Sequence, residues 1–354
     1  MSKVLMKGNE AIAEAAIKAG CKAFFGYPIT PQNEIPEYMS REMGKHGGVF
    51  VQAESEVAAI NMVYGAAGAG VRTMTSSSSP GIALKQEGIT YIAGAEIPCV
   101  IVDVSRGGPG LGSIQPSQGD YFIATRGGGN GDYRHVALAP ASIQEAVDLV
   151  MEAFDIADQY RNPVFVLADG MIGQMMEPVE FKTPPKRELP AKDWASTGTK
   201  NKRKPNIINS LALDPALLEQ HNLKLDGKYQ EMIKNEVRVE TFNMDKDPEI
   251  VLTSYGITSR VAKNAIEILE KEGIRAGLIR PISLWPFPEK AYQEIPASAK
   301  AVLSIEMSMG QMIDDVKIAL AGKLPTYLYG RPGGMCPEPQ AVADKAKEIL
   351  GGVK

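Results

Sequence analysis

Two runs of consecutive apolar residues constrain the fold of this chain most, PCVIVDV at 98–104 and PVFVLA at 163–168. A strand that faces water on one side alternates apolar and polar residues, whereas an uninterrupted apolar run is typical of a parallel strand covered on both faces. Helical patterns at 9–19, 56–69 and 141–159 alternate with these and with shorter strand patterns. The alternation predicts a doubly wound α/β domain.

The composition of the chain changes near residue 180. Residues 181–247 carry TPPKRELP and the basic run KNKRK with little apolar periodicity, which predicts a long connection with some short helices. A second alternation of strand and helix patterns begins at 249. We therefore expect an α/β domain at 1–180, a connecting segment at 181–247 and a smaller α/β domain at 248–354.

The charge and composition exclude several classes of protein. Thirty-eight basic residues stand against 42 acidic ones, so there is no electrostatic footprint for nucleic acid. Charged residues interrupt every apolar stretch before 18 residues and also break the N-terminal one, so we expect neither a membrane span nor a signal peptide. The three cysteines are far apart, which excludes an iron–sulfur cluster or zinc site built by this chain alone. We expect a soluble cytoplasmic protein that holds no metal itself.

The usual nucleotide and hydrolase motifs are missing from the sequence. Neither G-x-G-x-x-G nor G-x-x-x-x-G-K-[ST] occurs, which disfavours a plain NAD or ATP enzyme. The nucleophile elbow G-x-S-x-G is also missing, which counts against an α/β-hydrolase. The glycines of 64–70 (YGAAGAG) stand in a different order, and close helix packing accounts for them.

Polar or glycine-rich clusters follow five of the predicted strands. They are YPITP at 27–31, ESE at 54–56, SSSS at 76–79, RGGPGLG at 106–112 and DG at 169–170. Ligands of open α/β sheets bind beyond the carboxyl ends of the strands. The five clusters therefore predict a ligand site at that edge of the sheet.

Two of these clusters offer groups that could hold a substrate. Pro28 and Pro31 fix the backbone around Thr30, whose hydroxyl is then held in a rigid loop or in an ordinary strand-to-helix turn. Arg106 stands alone after a buried strand, where a guanidinium suits bidentate capture of a carboxylate or forms a surface ion pair.

Glu56 opens a predicted helix directly after a strand. A carboxylate at that position complements the helix dipole, or acts as a general acid or base if it is partly buried. Glu54 has the same ambiguity, so both carboxylates are candidates.

Taken in order, these clusters resemble a family pattern that covers nearly the whole chain. The chain is similar to the alpha subunits of 2-oxoacid:ferredoxin oxidoreductases, and its first 39 residues most resemble the 2-oxoisovalerate (branched-chain) type. The resemblance implies a pyrimidine-side thiamine-diphosphate-binding domain followed by a transketolase C-terminal-like domain. The segments that carry it are GYPITPQNEIPE, QAESEVAAINMVYGAAGAG, TSSSSPG, SRGGPG, QPSQGD and LADG.

The resemblance also implies an activity and roles for four residues. The family oxidatively decarboxylates 2-oxoacids with coenzyme A to give acyl-CoA, CO₂ and reduced ferredoxin, here from 2-oxoisovalerate and related branched-chain acids. By resemblance, Glu56 meets the pyrimidine ring nitrogen of thiamine diphosphate, and Pro28 and Thr30 lie against the cofactor. Thr30 also contacts substrate, and Arg106 holds the substrate carboxylate.

Two features that this sequence lacks imply partner subunits: a magnesium–diphosphate motif and the cysteines of an iron–sulfur cluster. A thiamine diphosphate enzyme needs a magnesium–diphosphate motif of the form GDG, and Asp169-Gly170 lacks its first glycine. The resemblance assigns the diphosphate domain, Mg²⁺ and an iron–sulfur cluster to a beta subunit, and further clusters to a ferredoxin-like subunit. A gamma subunit completes this hetero-oligomer, and an external ferredoxin accepts the electrons. The chain alone is expected to be inactive.

Two alternatives differ from the branched-chain interpretation. A 2-oxoglutarate enzyme would need another cation for the second carboxylate, for which Arg126 and Arg134 are candidates. A non-catalytic subunit that binds a small molecule or scaffolds partners would use the same loops, but Glu56 would then be dispensable for turnover.

Overall fold

The computed structural model of the chain describes residues 3–184 and 187–352. The strands are β1 (Val4–Lys7), β2 (Ala23–Gly26), β3 (Val49–Gln52), β4 (Thr73–Ser77), β5 (Cys99–Ser105), β6 (Val136–Leu138), β7 (Pro163–Asp169), β8 (Met176–Val179), β9 (Val239–Phe242), β10 (Ile250–Thr253), β11 (Ala276–Pro281), β12 (Ser283–Trp285), β13 (Ala301–Glu306) and β14 (Thr326–Gly330). The helices are α1 (Gly8–Lys18), α2 (Glu34–Glu42), α3 (Glu56–Gly68), α4 (Ser79–Gly94), α5 (Tyr121–Arg126), α6 (Ile143–Tyr160), α7 (Gly170–Gln174), α8 (Pro215–Asn235), α9 (Thr258–Lys271), α10 (Glu289–Gln293), α11 (Met312–Leu320) and α12 (Pro339–Gly352).

Seven strands form the first sheet, in the order β12-β6-β7-β5-β4-β2-β3. Strands β2 to β7 are parallel, and β12 is antiparallel at one edge. The two apolar runs of the sequence are the adjacent strands β5 and β7, paired from Cys99 opposite Pro163 to Ser105 opposite Asp169. The predicted doubly wound sheet is confirmed.

Helices cover both faces of this sheet, which explains the uninterrupted apolar runs. Val100 and Val102 of β5 pack in one core with residues of α1 and α6. Cys99 and Ile101, on the opposite face, pack in a second core with residues of α3 and α4. Because successive side chains of a strand point to opposite faces, the residues from Cys99 to Val102 fill the two cores alternately, which accounts for the apolar run.

The second sheet has five strands in the order β14-β13-β10-β11-β9. Its inner strands are parallel, and β9 is antiparallel at the edge. Helices α9 and α12 contribute to the third core, where Ile266 and Leu269 meet Val342 and Ala346. The prediction of a second, smaller α/β unit is confirmed.

The connecting region departs from the sequence prediction in one respect. Only short helices were expected between 181 and 247, whereas α8 is 21 residues long. Asp214 caps it by accepting from the N–H of Ala216, and its buried side chains are Leu225, Tyr229 and Met232. These three form one narrow stripe at helical spacing, while exposed leucines elsewhere on the helix hide that periodicity.

The two sheets are joined by a strand. Strand β12 follows β11 of the second sheet but pairs with β6 of the first, with Ser283 opposite Leu138. Across the described residues, no helix is both long and apolar enough to cross a membrane.

Candidate functional site

The carboxyl ends of the parallel strands bring the predicted clusters together. In the order β5-β4-β2-β3 the strands lie side by side, and the loops that follow them contact one another. The guanidinium Nη1 of Arg106 donates to the Thr30 carbonyl at 2.9 Å, and the backbone N–H of Arg106 donates to the Ser79 hydroxyl at 3.0 Å. Glu56, after β3, packs against Gly81 of α4.

Glu56 is the first residue of α3 and is 6% exposed. Ser55 caps the helix, its hydroxyl accepting from the N–H of Ala58 at 3.2 Å. Across the described residues, no group forms a hydrogen bond or ion pair with the Glu56 carboxylate. A Cβ on Gly81 would lie 2.6 Å from Glu56 Oε1, so glycine leaves room for the carboxylate. Glu54, the alternative carboxylate, is exposed.

Arg106 follows β5 directly and is 9% exposed. Its Nη1 and Nη2 donate to the carbonyls of Thr30 and Leu111, at 2.9 and 3.0 Å. Its Nε is buried with no hydrogen-bond partner. The alternative of a surface ion pair is wrong, because the side chain is buried and meets only neutral acceptors within the described part of the chain.

Thr30 is exposed at the mouth of a cleft of about 490 Å³, whose lining includes Ile114 and Met171. Two side chains hold the loop behind it: Asn9 Nδ2 and Gln174 Nε2 donate to the Pro31 carbonyl, at 2.7 and 2.9 Å. Pro28 lies in the same loop and is exposed. The loop therefore presents Thr30 from a rigid backbone.

A buried polar cluster beneath these loops was not predicted from the sequence. The Ser79 N–H donates to Asp103 Oδ1 at 3.2 Å, and its hydroxyl donates to Asp120. Burial, followed by the nearby Asp120, raises the pKa of Asp103 well above its usual range. Lys85, from α4, is fully buried beside Thr75 and Ser76. An aspartate in the middle of the apolar run PCVIVDV was the signal that could have indicated this cluster.

Asp169 has a structural role in this chain. Its side chain caps α7 by accepting from the N–H groups of Met171 and Ile172, at 2.8 and 3.0 Å. Burial raises the pKa of Asp169 to about 6. Across the residues that the structure describes, no group of three or more histidines, cysteines and carboxylates could hold a metal ion.

The two arginines considered for a second carboxylate lie elsewhere. Arg126 forms an ion pair with Asp315 at 2.9 Å. Arg134 precedes β6 and therefore lies at the amino ends of the parallel strands. Both line a cavity beside Trp285 that includes neither Thr30 nor Arg106.

Two family models match successive parts of this chain. Residues 14–245 match the family model described as pyruvate flavodoxin/ferredoxin oxidoreductase, thiamine diphosphate-binding. Residues 248–342 match the model described as pyruvate:ferredoxin oxidoreductase core domain II.

Two curated relatives illustrate the range of similarity. The ketoisovalerate oxidoreductase subunit VorB of Methanothermobacter thermautotrophicus is 50% identical, over 99% of both chains. The 2-oxoglutarate synthase subunit KorA of Methanocaldococcus jannaschii is 36% identical, over 96% of this chain and 98% of that one.

Solved structures agree with the fold. The chain matches 2-oxoglutarate:ferredoxin oxidoreductase from Magnetococcus marinus with a TM-score of 0.88 and 27% identity, over 99% of this chain and 65% of that longer one. It also matches an inactive split-gene transketolase with a TM-score of 0.61 and 14% identity, over 99% of both chains, which bears on the fold alone.

Proposed function

The chain belongs to the pyruvate flavodoxin/ferredoxin oxidoreductase family, and from that membership we propose that it is the alpha subunit of a 2-oxoacid:ferredoxin oxidoreductase. The complex would convert 2-oxoisovalerate and related branched-chain 2-oxoacids, with coenzyme A, to acyl-CoA, CO₂ and reduced ferredoxin. This chain would hold the pyrimidine side of thiamine diphosphate.

The observation that carries the proposal is the Glu56 carboxylate, buried without a protein partner among the described residues. Burying an unpaired carboxylate is costly, so a ligand group that carries a proton would be a favourable partner. The pyrimidine ring nitrogen of thiamine diphosphate is such a group, and Gly81, which lacks a Cβ, leaves room for the carboxylate beside α4. Glu56 would hold a proton at that nitrogen. When bound, the cofactor supplies the electron sink for decarboxylation.

Arg106 supports the same proposal from the substrate side. A guanidinium has five N–H donors and one full charge. Two donors of Arg106 meet neutral carbonyls, and its buried Nε meets none. Because Arg106 forms no ion pair with a described residue, we propose that it binds a substrate carboxylate and orients it against Thr30.

The lining of the Thr30 cleft favours an alkyl side chain over a second carboxylate. It contains Ile114, Pro116 and Met171 and, within its described residues, no lysine or arginine. Its one charged residue, Glu34, already forms an ion pair with Lys7 at 2.9 Å, so the lining offers no cation to a second carboxylate. The higher identity to a ketoisovalerate subunit than to a 2-oxoglutarate subunit supports the same preference.

Partner chains would supply what this chain does not offer. Since Asp169 is occupied as a helix cap, we propose that a beta subunit holds Mg²⁺, the diphosphate and an iron–sulfur cluster. Gamma and ferredoxin-like subunits would complete the complex, and an external ferredoxin would accept the electrons.

The test is an anaerobic assay of the complex purified from its native host. Coenzyme A-dependent viologen reduction is followed with pyruvate, 2-oxoisovalerate, 2-oxoisocaproate and 2-oxoglutarate in parallel. We expect the highest kcat/KM with the two branched-chain acids. Preference for 2-oxoglutarate would keep the reaction and change the substrate. No turnover, in a complex that holds its clusters and thiamine diphosphate, would favour a non-catalytic subunit.

A further inference from the structure

Lys85 of α4 has no part in the function proposed so far, although its side chain is fully buried. Its Nζ donates to Thr75 Oγ1 at 2.7 Å and to the Ser76 carbonyl at 2.9 Å. Both acceptors are neutral, so these bonds satisfy donors without balancing the charge. A buried ammonium group persists only where a counter-charge lies near it.

Glu56 packs against the face of α4 that carries Lys85. Lys85 follows Gly81 by four residues, which places the two on one face of the helix. Glu56 packs over Gly81, where a Cβ would lie 2.6 Å from its Oε1 and 3.1 Å from its Cγ. The Glu56 carboxylate therefore lies one helical turn from the residue that carries the buried cation.

The other nearby carboxyl groups are already accounted for. Asp103 Oδ1 accepts from the Ser79 N–H at 3.2 Å. Asp120 accepts from the Ser79 hydroxyl and faces the charge of Arg106. Glu56, which has no hydrogen-bond partner among the described residues, is the carboxylate left for Lys85.

We propose that Lys85 is a positioning residue whose buried ammonium group is the counter-charge that holds the Glu56 carboxylate in place for the pyrimidine ring. The inference rests on the proposed role of Glu56 and assigns a partner to it. Lys85 itself would touch neither cofactor nor substrate.

The electrostatics of Lys85 agree with this pairing. Burial lowers the pKa of Lys85 to about 7, and the charges of Glu56 and Asp103 act in the opposite direction, favouring the ammonium form. The charged group that faces Lys85 besides Glu56 is Asp103 from β5. Asp103 in turn neighbours Asp120, before α5, which faces Arg106. Lys85 therefore stays charged in the acidic range, where a carboxylate most needs a cation to remain ionised.

The experiment compares the wild-type complex with Lys85→Met, which keeps length and apolar volume but removes the charge. The first readout needs no turnover: the dissociation constant of thiamine diphosphate from cofactor-depleted complex, measured from pH 5 to 8. A carboxylate that loses a neighbouring cation is protonated at higher pH. We expect the pH below which binding weakens to rise by about one pH unit.

The second readout is the pH profile of kcat. Its acidic limb should move in the same direction by about one pH unit, so that kcat measured below both midpoints falls roughly tenfold. KM for the 2-oxoacid should change less than about threefold, because Arg106 is untouched. Lys85→Arg, which retains the charge, should restore the wild-type midpoint of cofactor binding.

Thr75→Val is the matched control, because it removes one hydrogen-bond partner of Lys85 and leaves both charges in place. The pH midpoint of thiamine diphosphate binding to the Thr75→Val complex should stay at the wild-type value. A Lys85→Met complex with wild-type midpoints in both readouts would overturn the proposal. So would a Thr75→Val midpoint that moves as far as that of Lys85→Met, since the effect would then be structural.

If the Lys85→Met complex does not assemble, the reciprocal variant Glu56→Gln tests the pairing of Glu56 with Lys85. In cofactor-depleted Glu56→Gln complex, the ammonium loses its partner and gives up its proton at lower pH. The thermal midpoint of this variant should rise with pH over a range that begins below the wild-type range. Identical pH dependence would contradict the pairing. If the complex binds thiamine diphosphate but turns over no 2-oxoacid, the proposed function fails while these binding readouts still test Lys85.

Discussion

At the scale of single residues, burial and charge determine what the carboxyl end of the first sheet can do. Glu56 and Arg106 are both less than a tenth exposed, and neither forms an ion pair with a described residue. Burying a charge that forms no ion pair costs free energy, and a bound ligand of opposite charge can offset that cost. Their opposite signs suit two different ligand groups, a protonated ring and a carboxylate.

Replacing Glu56 by alanine should abolish turnover while the complex still assembles. The substitution would remove the group that we propose holds a proton at the pyrimidine ring, and the side chain makes no hydrogen bond to a described residue whose loss would disturb the fold. The measurement is viologen reduction together with size-exclusion chromatography of the complex. Near-wild-type rates would remove the assigned role.

Replacing Arg106 by alanine should raise KM and also lower kcat. Losing one partner of a buried charge pair costs on the order of 2–5 kcal/mol in binding. Steady-state kinetics with 2-oxoisovalerate measure the change in kcat/KM. An unchanged kcat/KM would exclude Arg106 as the carboxylate ligand.

His135 should make the fold sensitive to acid. Burial lowers the pKa of His135 to about 4, so the unfolded chain takes up a proton before the folded one between about pH 6.5 and 4. Stability attributable to His135 is therefore fully present above that range and falls as pH falls, by about 3 kcal/mol. The thermal midpoint of the wild type should therefore fall relative to that of His135→Phe as pH drops from about 6.5 to 4; a constant difference across the range would contradict this.

Sequence reasoning located some of these residues and missed others for a physical reason. Thr30, Glu56 and Arg106 could be singled out because each stands where a strand pattern ends. Lys85 and Asp103 lie inside a helix and a strand. A sequence shows that they are polar but not which buried neighbours they meet, so their contacts needed the structure.

At the scale of helices and strands, the packing of α3 against α4 shapes the space around Glu56. The two helices contribute to the same core, and glycines allow the close approach. On Gly88 a Cβ would lie 2.5 Å from the Ile60 side chain, and on Gly81 it would meet Glu56 and Ser77. The position of the carboxylate thus depends on α4 as well as on α3.

Gly81→Ala should weaken thiamine diphosphate binding and lower kcat, because the new methyl group would displace the Glu56 carboxylate from 2.6 Å away. A misplacement of about 1 Å near the chemistry costs roughly a hundredfold in rate. Gly65→Ala is the matched control on α3, where a Cβ meets nothing within 4 Å. Equal cofactor affinity and kcat in the two variants would refute this account.

Elements were predictable where burial is uniform. Strands β5 and β7 are buried along their whole length, so a run of mostly apolar residues in the sequence predicts them. Strand β12 has three residues, and its partner β6 lies about 145 positions earlier in the chain. A pairing between such distant, short segments leaves no local pattern, so it could not be read from the sequence.

At the scale of the whole molecule, polar contacts join the two α/β units beside the site. Gln118 Nε2 donates to the Tyr255 carbonyl at 2.8 Å, and its backbone N–H donates to the Met307 carbonyl at 3.0 Å. Arg280 of β11 forms an ion pair with Glu145 of α6 at 2.8 Å. The second unit therefore supports the loop that leads from Arg106 to Asp120.

The chain without its partners should bind thiamine diphosphate weakly or not at all. It offers a carboxylate for the pyrimidine ring, whereas Asp169 is occupied as a helix cap and cannot serve the diphosphate. Isothermal titration of the lone chain against the assembled complex measures the difference. Tight stoichiometric binding by the lone chain would contradict a site shared between subunits.

Strand β12 also limits how a gene for such a chain can evolve. Its three residues come from the second unit, yet they complete the edge of the first sheet by pairing with β6. Gene fission between the two units would leave one product with an open sheet edge, a known route to aggregation. Insertions in the exposed stretch around 199–206 would disturb no such pairing. Selection should therefore tolerate new sequence there and keep the two units in one reading frame.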